Sequence, residues 1–184
     1  MSTALIIVDI QNDYFPNGKM ELNKPIKAAT NAAKVLDWFR QNNKNNIFHV
    51  QHIASSPEIG FFLPNTVGAE IHETVLPLVH ETIIVKNFPN SFLKTDLESK
   101  LRENGVTKVV VVGMMTHMCI DATVRAAVDL GFETTLIEDA CASRDLSYQG
   151  RVVPAEQVHN AFVGALEGMY AQVISTENFL ESKN

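Results

Sequence analysis

The chain alternates between short runs rich in apolar and β-branched residues and longer segments in which apolar residues recur every three or four positions. The short runs occupy positions 4–9, 47–52, 82–86, 108–113, 133–137 and 172–174. The first of them is continuously apolar up to Asp9, which is typical of a strand that is buried on both faces. The pattern therefore predicts six buried strands.

Four segments between or after these runs predict helices. Pro25 suits the first turn of one helix, and Pro154 introduces the last one. Thr95 and Glu98 form a capping-box pattern at the start of a third helix. The fourth covers roughly residues 118–130, directly after the valine-rich fourth strand, and a polar tail follows the sixth strand.

Strands that alternate with helices indicate an α/β fold, in which helices cover both faces of a mainly parallel sheet. A length of 184 residues fits one core, so we expect residues 1–184 to form a single domain. Residues 54–80 are the least regular part of the chain and contain several prolines and glycines. This segment is long for a plain connection, and we expect it to form a wall or lid over a site.

Composition and charge narrow the range of functions. The residues are 46% hydrophobic and 20% charged, which excludes a disordered chain. A formal net charge of −6 argues against nucleic acid binding, and the apolar runs are too short to span a membrane. The first residues do not resemble a signal peptide, and the two cysteines, Cys119 and Cys141, do not require a disulfide. We therefore expect a cytoplasmic protein.

Three reactive residues lie where parallel sheets bind ligands, at the carboxyl ends of the predicted strands. Asp9 ends the first strand, Lys86 ends the third, and Cys119 follows the fourth in the first turn of a predicted helix. Helix N–H groups and a nearby ammonium both lower the pKa of a thiol, and a carboxylate can accept its proton. Each residue alone has an ordinary structural explanation, but the set at one sheet edge is suited to acyl transfer.

Histidines offer two competing hypotheses. His117 lies two residues before Cys119, but residues two apart on a helix point to different sides, so a direct pair is not expected. His49 and His52 are three apart on a predicted strand and therefore face opposite sides, which argues against one shared metal ion. For His72 the favoured interpretation is a structural hydrogen bond at the start of a helix.

Two other enzyme classes fit the sequence poorly. A dinucleotide-binding domain carries a glycine-rich turn after its first strand, and here residues 9–15 contain no glycine. A phosphoaspartate hydrolase pairs its strand-end aspartate with a second acid two residues later, where this chain has Gln11. For Asp13 we expect a role in holding its loop or neighbouring backbone N–H groups.

Three segments resemble the motifs of the isochorismatase-like cysteine hydrolases. They are LIIVDIQNDYF at 5–15, VKNFPNSF at 85–92 and VGMMTHMC at 112–119, and residues 68–72 and 138–142 also resemble family segments. The similarity runs from about residue 4 to residue 179, with the motifs in the family order. The resemblance implies a three-layer α/β/α fold with a six-stranded, mainly parallel, Rossmann-like sheet.

The resemblance also implies an Asp–Lys–Cys triad. In this chain Asp9 is then the general base and acid, Lys86 balances the charge of the Asp–Cys pair, and Cys119 is the nucleophile. A cis peptide bond is implied between Met114 and Met115, with the backbone N–H groups of Met115 and Cys119 forming an oxyanion hole. The Asp-x-His metal motif of the nicotinamidase branch is missing after the second strand, so we expect no metal and no cofactor.

The implied activity is hydrolysis of a C–N bond in a small amide, carbamoyl or ureido compound through a thioester. A vinyl-ether hydrolase of the isochorismatase type and a non-catalytic binding protein are the alternatives. We expect a homo-oligomer, a dimer or tetramer, that binds a small molecule. Candidate substrate-binding residues are Phe15, His117, Phe92 and Tyr148, whereas Arg144 and Arg151 either bind a substrate carboxylate or, as we prefer, face solvent.

Overall fold

Six parallel strands form the central sheet of the protein. The computed structural model describes residues 2–183. The strands of the sheet are β1 (Ser2–Val8), β2 (Ile47–His52), β3 (Thr82–Lys86), β4 (Val106–Met114), β5 (Glu133–Ala142) and β8 (Gln172–Ile174), and their order in the sheet is β3-β2-β1-β4-β5-β8. Two further strands, β6 (Leu146–Tyr148) and β7 (Arg151–Val153), form a separate antiparallel hairpin. All five pairings within the large sheet are parallel, which confirms the predicted α/β fold.

Helices cover both faces of the sheet. They are α1 (Pro25–Asn42), α2 (Leu97–Glu103), α3 (Asp121–Asp129), α4 (Ala155–Leu166) and α5 (Thr176–Glu181). Alternate residues of β1 belong to two different hydrophobic clusters, one shared with α1 and one shared with α2 and α3. Since successive side chains of a strand point to opposite faces, the two clusters are the two interlayer cores. Among the described residues, no helix is long and apolar enough to cross a membrane.

Three predictions about local structure are wrong. Helix α2 has Asp96 and not Thr95 as its N-cap, and no side-chain hydrogen bond caps it, so the predicted capping box does not form. The helix predicted from residue 118 begins at Asp121, because a π-helical turn, Thr116–Ile120, comes first and contains Cys119. The predicted polar tail contains helix α5, whose buried Phe179 packs edge-on against Trp38 with the ring centres 5.5 Å apart. The six residues of α5 are too few to show a helical period in the sequence.

The irregular segment at 54–80 lies against the loop that leads away from Asp9. The Asn12 N–H donates to the Glu70 carbonyl at 3.0 Å, and the Asp13 carboxylate accepts from the Phe62 N–H at 2.6 Å. A Cβ added to Gly68 would lie 2.2 Å from Asp13 Oδ1, so only a glycine allows these two segments of the chain to come this close. The segment forms a wall beside this loop, and the expected role of Asp13 in binding backbone N–H groups is confirmed.

Glu81 directly precedes β3, and its buried carboxylate contacts both helix α1 and strand β2. Its side chain is fully buried and accepts from Arg40 Nε at 2.7 Å, while its second oxygen lies 2.8 Å from His49 Nε2. Burial alone would raise the pKa of Glu81, but the hydrogen bonds from Arg40, the Leu78 N–H and His49 outweigh it and lower that pKa to about 2. Glu81 therefore remains charged across the neutral and mildly acidic range.

We predict that Glu81→Gln destabilises the protein by about 2–3 kcal/mol, because Arg40 and His49 lose a charged hydrogen-bond acceptor. The depressed pKa means that the Glu81 contribution is complete above its ordinary value of 4.5 and is lost as the pH falls toward 2. Urea unfolding at several pH values should therefore show the two stability curves converging in acid. Glu98→Gln, at an exposed pair with Arg102, is the matched control, with an expected loss below about 0.5 kcal/mol. Equal losses in both variants would contradict the prediction.

Candidate active site

Four neighbouring strands bring the predicted residues together at one edge of the sheet. In the sheet β2 lies between β1 and β3, and β4 lies on the other side of β1. Lys86 ends β3, Asp9 follows β1 and Cys119 follows β4, so all three residues lie at the carboxyl ends of adjacent strands. Lys86 Nζ lies 2.7 Å from Asp9 Oδ2 and 3.3 Å from Cys119 Sγ. The three residues that the sequence singled out are therefore in direct contact around one ammonium group.

His52 is a member of this group that the sequence analysis missed. It pairs in register with Lys86 across β2 and β3, and its Nδ1 lies 2.9 Å from Lys86 Nζ and 3.8 Å from Asp9 Oδ2. His49 contacts Glu81 instead, so the prediction that the two histidines face opposite sides is confirmed. The sequence did contain a feature that indicates this role: His52 ends the second predicted strand, just as Asp9 and Lys86 end the first and third.

Burial and charge set the resting protonation of the group. The side chains of Asp9 and Lys86 are fully buried. Burial disfavours the Lys86 ammonium, but the Asp9 carboxylate and the contacts with Asp9 and Cys119 outweigh that effect and raise the pKa of Lys86. The lysine is therefore charged and compensates the carboxylate, as a buried ion pair requires.

The pKa of Cys119 is raised, so the predicted lowering is wrong for the resting protein. Burial is the largest cause, and the negative charge of Asp9 adds to it, whereas Lys86 acts in the opposite direction. The thiol is 4% exposed, and water cannot compensate a thiolate at that position. Cys119 therefore rests as a neutral thiol and needs a proton acceptor before it can attack.

The chain leading to the nucleophile has an unusual backbone. The peptide bond between Met114 and Met115 is cis, as the resemblance implied. Gly113 has a φ of +131°, and a Cβ at this position would lie 2.0 Å from the Val8 carbonyl oxygen, so only glycine fits beside β1. Met115 is buried and directly precedes the turn that contains Cys119, so both predicted oxyanion donors lie at this turn. Their role remains a prediction.

The four candidate substrate-binding residues occupy different surroundings. Phe15 is buried and stacks on His72 with ring centres 3.5 Å apart, and His117 Nδ1 lies 2.7 Å from Ser143 Oγ. His72 also accepts from the Thr74 N–H, which agrees with its expected structural role.

Two of these candidates lie in places that do not favour substrate binding. Phe92 stacks on Phe132, which directly precedes β5 at the amino end of that strand, whereas the triad lies at the carboxyl ends. Tyr148 is 74% exposed on the β6–β7 hairpin, and its hydroxyl group lies beside Gln149. Phe92 is therefore placed as a packing residue and Tyr148 as a surface residue.

The two arginines differ from each other. Arg151 is exposed, as expected, but Arg144 is half-buried and its Nε is buried without a hydrogen-bond partner in residues 2–183. The Arg144 charge also acts on the pKa of Tyr14 and of His117, so the guanidinium lies near both rings. Tyr14 in turn lies close to Cys119 and Asp9: burial raises the pKa of Tyr14 most, and the Asp9 carboxylate raises it further.

The geometry also bears on metal binding. Within residues 2–183, one group of metal-ligating side chains is close enough to surround an ion: donor atoms of Asp9, His52 and Cys119 lie within 4.8 Å of one another. Lys86 Nζ contacts all three of these side chains, so an ammonium already fills the place that a cation would need. That no metal is required stays a prediction, and this contact supports it.

We predict that Lys86→Met destabilises the protein by about 3–5 kcal/mol, because the fully buried Asp9 carboxylate loses its counter-charge. Adding Asp9→Asn removes the unpaired charge, and the double variant should be more stable than Lys86→Met alone. Urea unfolding of the wild type, both single variants and the double variant forms the cycle that measures the pair. A loss below about 1 kcal/mol in Lys86→Met would show that Asp9 does not depend on Lys86.

Comparisons with known proteins agree with this geometry. The sequence profile of the isochorismatase domain matches residues 3–178. An uncharacterised isochorismatase family protein of Bacillus subtilis is 59% identical over 98% of this chain and 100% of its own length. A crystal structure from Oleispira antarctica, described as a candidate isochorismatase hydrolase, has a TM-score of 0.93 and 44% identity, with 98% of this chain and 96% of that one covered.

A more distant structure shares the fold. N-carbamoylsarcosine amidase from Thermoplasma acidophilum has a TM-score of 0.80 and 23% identity, with 96% of this chain and 98% of that one covered. The match to the domain profile covers nearly the whole described chain, and the sheet order, the cis bond and the Asp–Lys–Cys contact are consistent with it. This chain belongs to the isochorismatase family of hydrolases.

Proposed function

We propose that this protein hydrolyses the C–N bond of a small amide, carbamoyl or ureido compound, with Cys119 as nucleophile. The observation that carries the proposal is that one buried ammonium, Lys86 Nζ, contacts both Asp9 Oδ2 and Cys119 Sγ. A carboxylate, a thiol and a shared cation in contact are the parts that covalent acyl transfer needs. Hydrolysis of a vinyl ether depends on an acid and has no use for the thiol, so the position of Cys119 favours the amide reaction.

The first half of the reaction forms a thioester. Asp9 accepts the proton of the Cys119 thiol, and the thiolate attacks the substrate carbonyl carbon to form a C–S bond. The oxyanion that results is assigned to the N–H groups of Met115 and Cys119, where backbone donors stabilise developing negative charge. As the intermediate collapses, Asp9 returns the proton to the nitrogen and the C–N bond breaks, which releases the amine or ammonia.

The second half restores the enzyme. Asp9 accepts a proton from a water molecule, whose oxygen attacks the thioester carbonyl carbon. The C–S bond then breaks, the acid leaves, and the Cys119 thiolate regains its proton from Asp9. Asp9 carries a proton from the thiol to the leaving nitrogen in the first half and from water to the thiolate in the second, so it ends each half as the carboxylate beside Lys86.

The test is ammonia release from a panel of small amides, ureas and carbamoyl compounds, with and without a chelator. We predict that Cys119→Ala lowers turnover about 10³-fold or more, because no thioester can form. Cys141→Ala is the matched control, since Cys141 is the other buried thiol, donates only to the Ile137 carbonyl and should leave turnover nearly unchanged.

Other results would redirect the assignment. Pyruvate formation from isochorismate without ammonia release from the panel would support the vinyl-ether alternative. Turnover that survives Cys119→Ala would remove the covalent mechanism, and turnover lost on chelation would contradict the prediction that no metal is required. Binding of panel compounds without any turnover would support a non-catalytic member of the family.

Arg144 suggests a comparison between amides that carry a carboxylate and neutral amides. Its Nε is buried and lacks a partner among the described residues, and a substrate carboxylate is the group that a guanidinium binds best. We predict that Arg144→Gln raises KM about 10- to 100-fold for amides that carry a carboxylate and changes KM little for neutral amides. Steady-state kinetics on both classes would check this, and an equal effect on both classes would contradict a carboxylate contact.

A further inference from the structure

The Lys86 ammonium has more acceptors than protons. Four acceptor atoms lie within hydrogen-bond distance of Nζ: Asp9 Oδ2 at 2.7 Å, His52 Nδ1 at 2.9 Å, the Phe88 carbonyl oxygen at 3.0 Å and Cys119 Sγ at 3.3 Å. An ammonium donates only three hydrogen bonds. The geometry directs the three N–H groups at His52 Nδ1, the Phe88 carbonyl oxygen and Cys119 Sγ. Asp9 Oδ2 is the shortest contact, but it is an ion contact, and neither Asp9 oxygen has a hydrogen-bond partner within residues 2–183.

Only two of these acceptors change charge during the reaction proposed above. When the thiol proton moves to Asp9, the carboxylate becomes neutral and the sulfur becomes negative. The N–H that already faces Cys119 Sγ then donates to a thiolate. His52 and the Phe88 carbonyl keep the other two N–H groups throughout.

We propose that His52 is a positioning residue for catalysis, whose uncharged Nδ1 anchors the Lys86 ammonium so that its third N–H stays directed at Cys119 Sγ while its charge lies beside Asp9. This inference rests on the proposed function for its kinetic consequence. Because Lys86 donates to Nδ1, the proton of the neutral ring must lie on Nε2.

The surroundings of His52 support a fixed, neutral ring. Both ends of the Gln11 side-chain amide hold its backbone: the His52 N–H donates to Gln11 Oε1 at 2.8 Å, and Gln11 Nε2 donates to the His52 carbonyl at 2.9 Å. Gln11 is itself fully buried, so this clamp is rigid. Burial first and the charge of Lys86 second lower the pKa of His52, and the opposing effect of Asp9 is smaller.

The kinetic test compares three substitutions of His52. Asn places an amide oxygen close to the Nδ1 position, Gln places its oxygen farther from the backbone, and Leu offers no acceptor. We predict that His52→Leu and His52→Gln lower kcat about 10- to 100-fold with little change in KM, while His52→Asn stays within about threefold of the wild type. Equal losses in Asn and Leu variants, or a loss that appears only in KM, would overturn the proposal.

His49→Asn is the matched control for a structural role. His49 lies on the same strand, but it contacts Glu81 on the opposite face, so its variant should lose stability without losing kcat. A drop in kcat that tracks the loss of stability in both histidine variants would assign His52 a structural role only.

The pH profile separates an anchor from a packing residue. A protonated His52 cannot accept from Lys86, so wild-type kcat should fall below the pKa of His52, which lies under the ordinary value of 6.5. Asp9, Lys86 and Cys119 face this ring and are present in both proteins, so their titrations cancel in a ratio. The kcat ratio of His52→Asn to the wild type should therefore rise in acid, and a flat ratio would contradict the proposal.

A substrate-free measurement distinguishes failure of this inference from failure of the proposed function. Nitrogen chemical shifts of ¹⁵N-histidine protein at pH 7, assigned to His52 by comparison with His52→Asn, should show a neutral ring protonated on Nε2. A neutral ring protonated on Nδ1, or a charged ring, would overturn the anchor. A correct ring in a protein that cleaves no panel compound would leave the anchor in place and reject the proposed substrate class.

Discussion

The buried ion pair between Lys86 and Asp9 is the constraint on which the rest of the site depends. Two charges without exposed surface are tolerated only when they are paired and hydrogen-bonded. The pair also acts on Cys119: burial and then the Asp9 carboxylate raise the pKa of the resting thiol, whereas the Lys86 ammonium favours the thiolate. The Cys119 thiol is therefore unreactive until its proton moves to the neighbouring Asp9 carboxylate.

Strand β2 serves two charged groups at once. His49 on one face joins the Glu81 and Arg40 pair beneath α1, and His52 on the other face contacts Lys86. The first group ties the edge of the sheet to a helix, and the second belongs to the site. Alternation along a single strand therefore keeps the stabilising charges and the reactive charges on separate faces.

Much of this arrangement can be predicted from the sequence. The predicted bounds of β2, β3 and β8 agree with the structure, and Asp9, Lys86 and Cys119 stand out as reactive residues at or after strand ends. The family resemblance adds the cis bond and the roles of the triad, neither of which can be predicted from the spacing of apolar residues. The mainly parallel sheet follows from the alternation of strands and helices.

The remaining features depend on tertiary structure. Including His52 in the site requires knowing that β2 lies between β1 and β3, and the order of strands is not written in their periodicity. The raised pKa of Cys119 arises from burial and from Asp9, which outweigh the local helix and ammonium effects that a sequence suggests. The π-helical turn and α5 are too short for a pattern to distinguish them from a helix extension or a tail.

The strand order has a consequence for synthesis of the chain. Asp9, His52 and Lys86 all leave the ribosome before Cys119, and β1, β2 and β3 are neighbours that can pair without β4. The carboxylate can therefore meet its ammonium in a nascent chain that still lacks the sulfur atom. Cys119 is therefore the last of the four to reach the sheet edge, where its charged neighbours can already be paired.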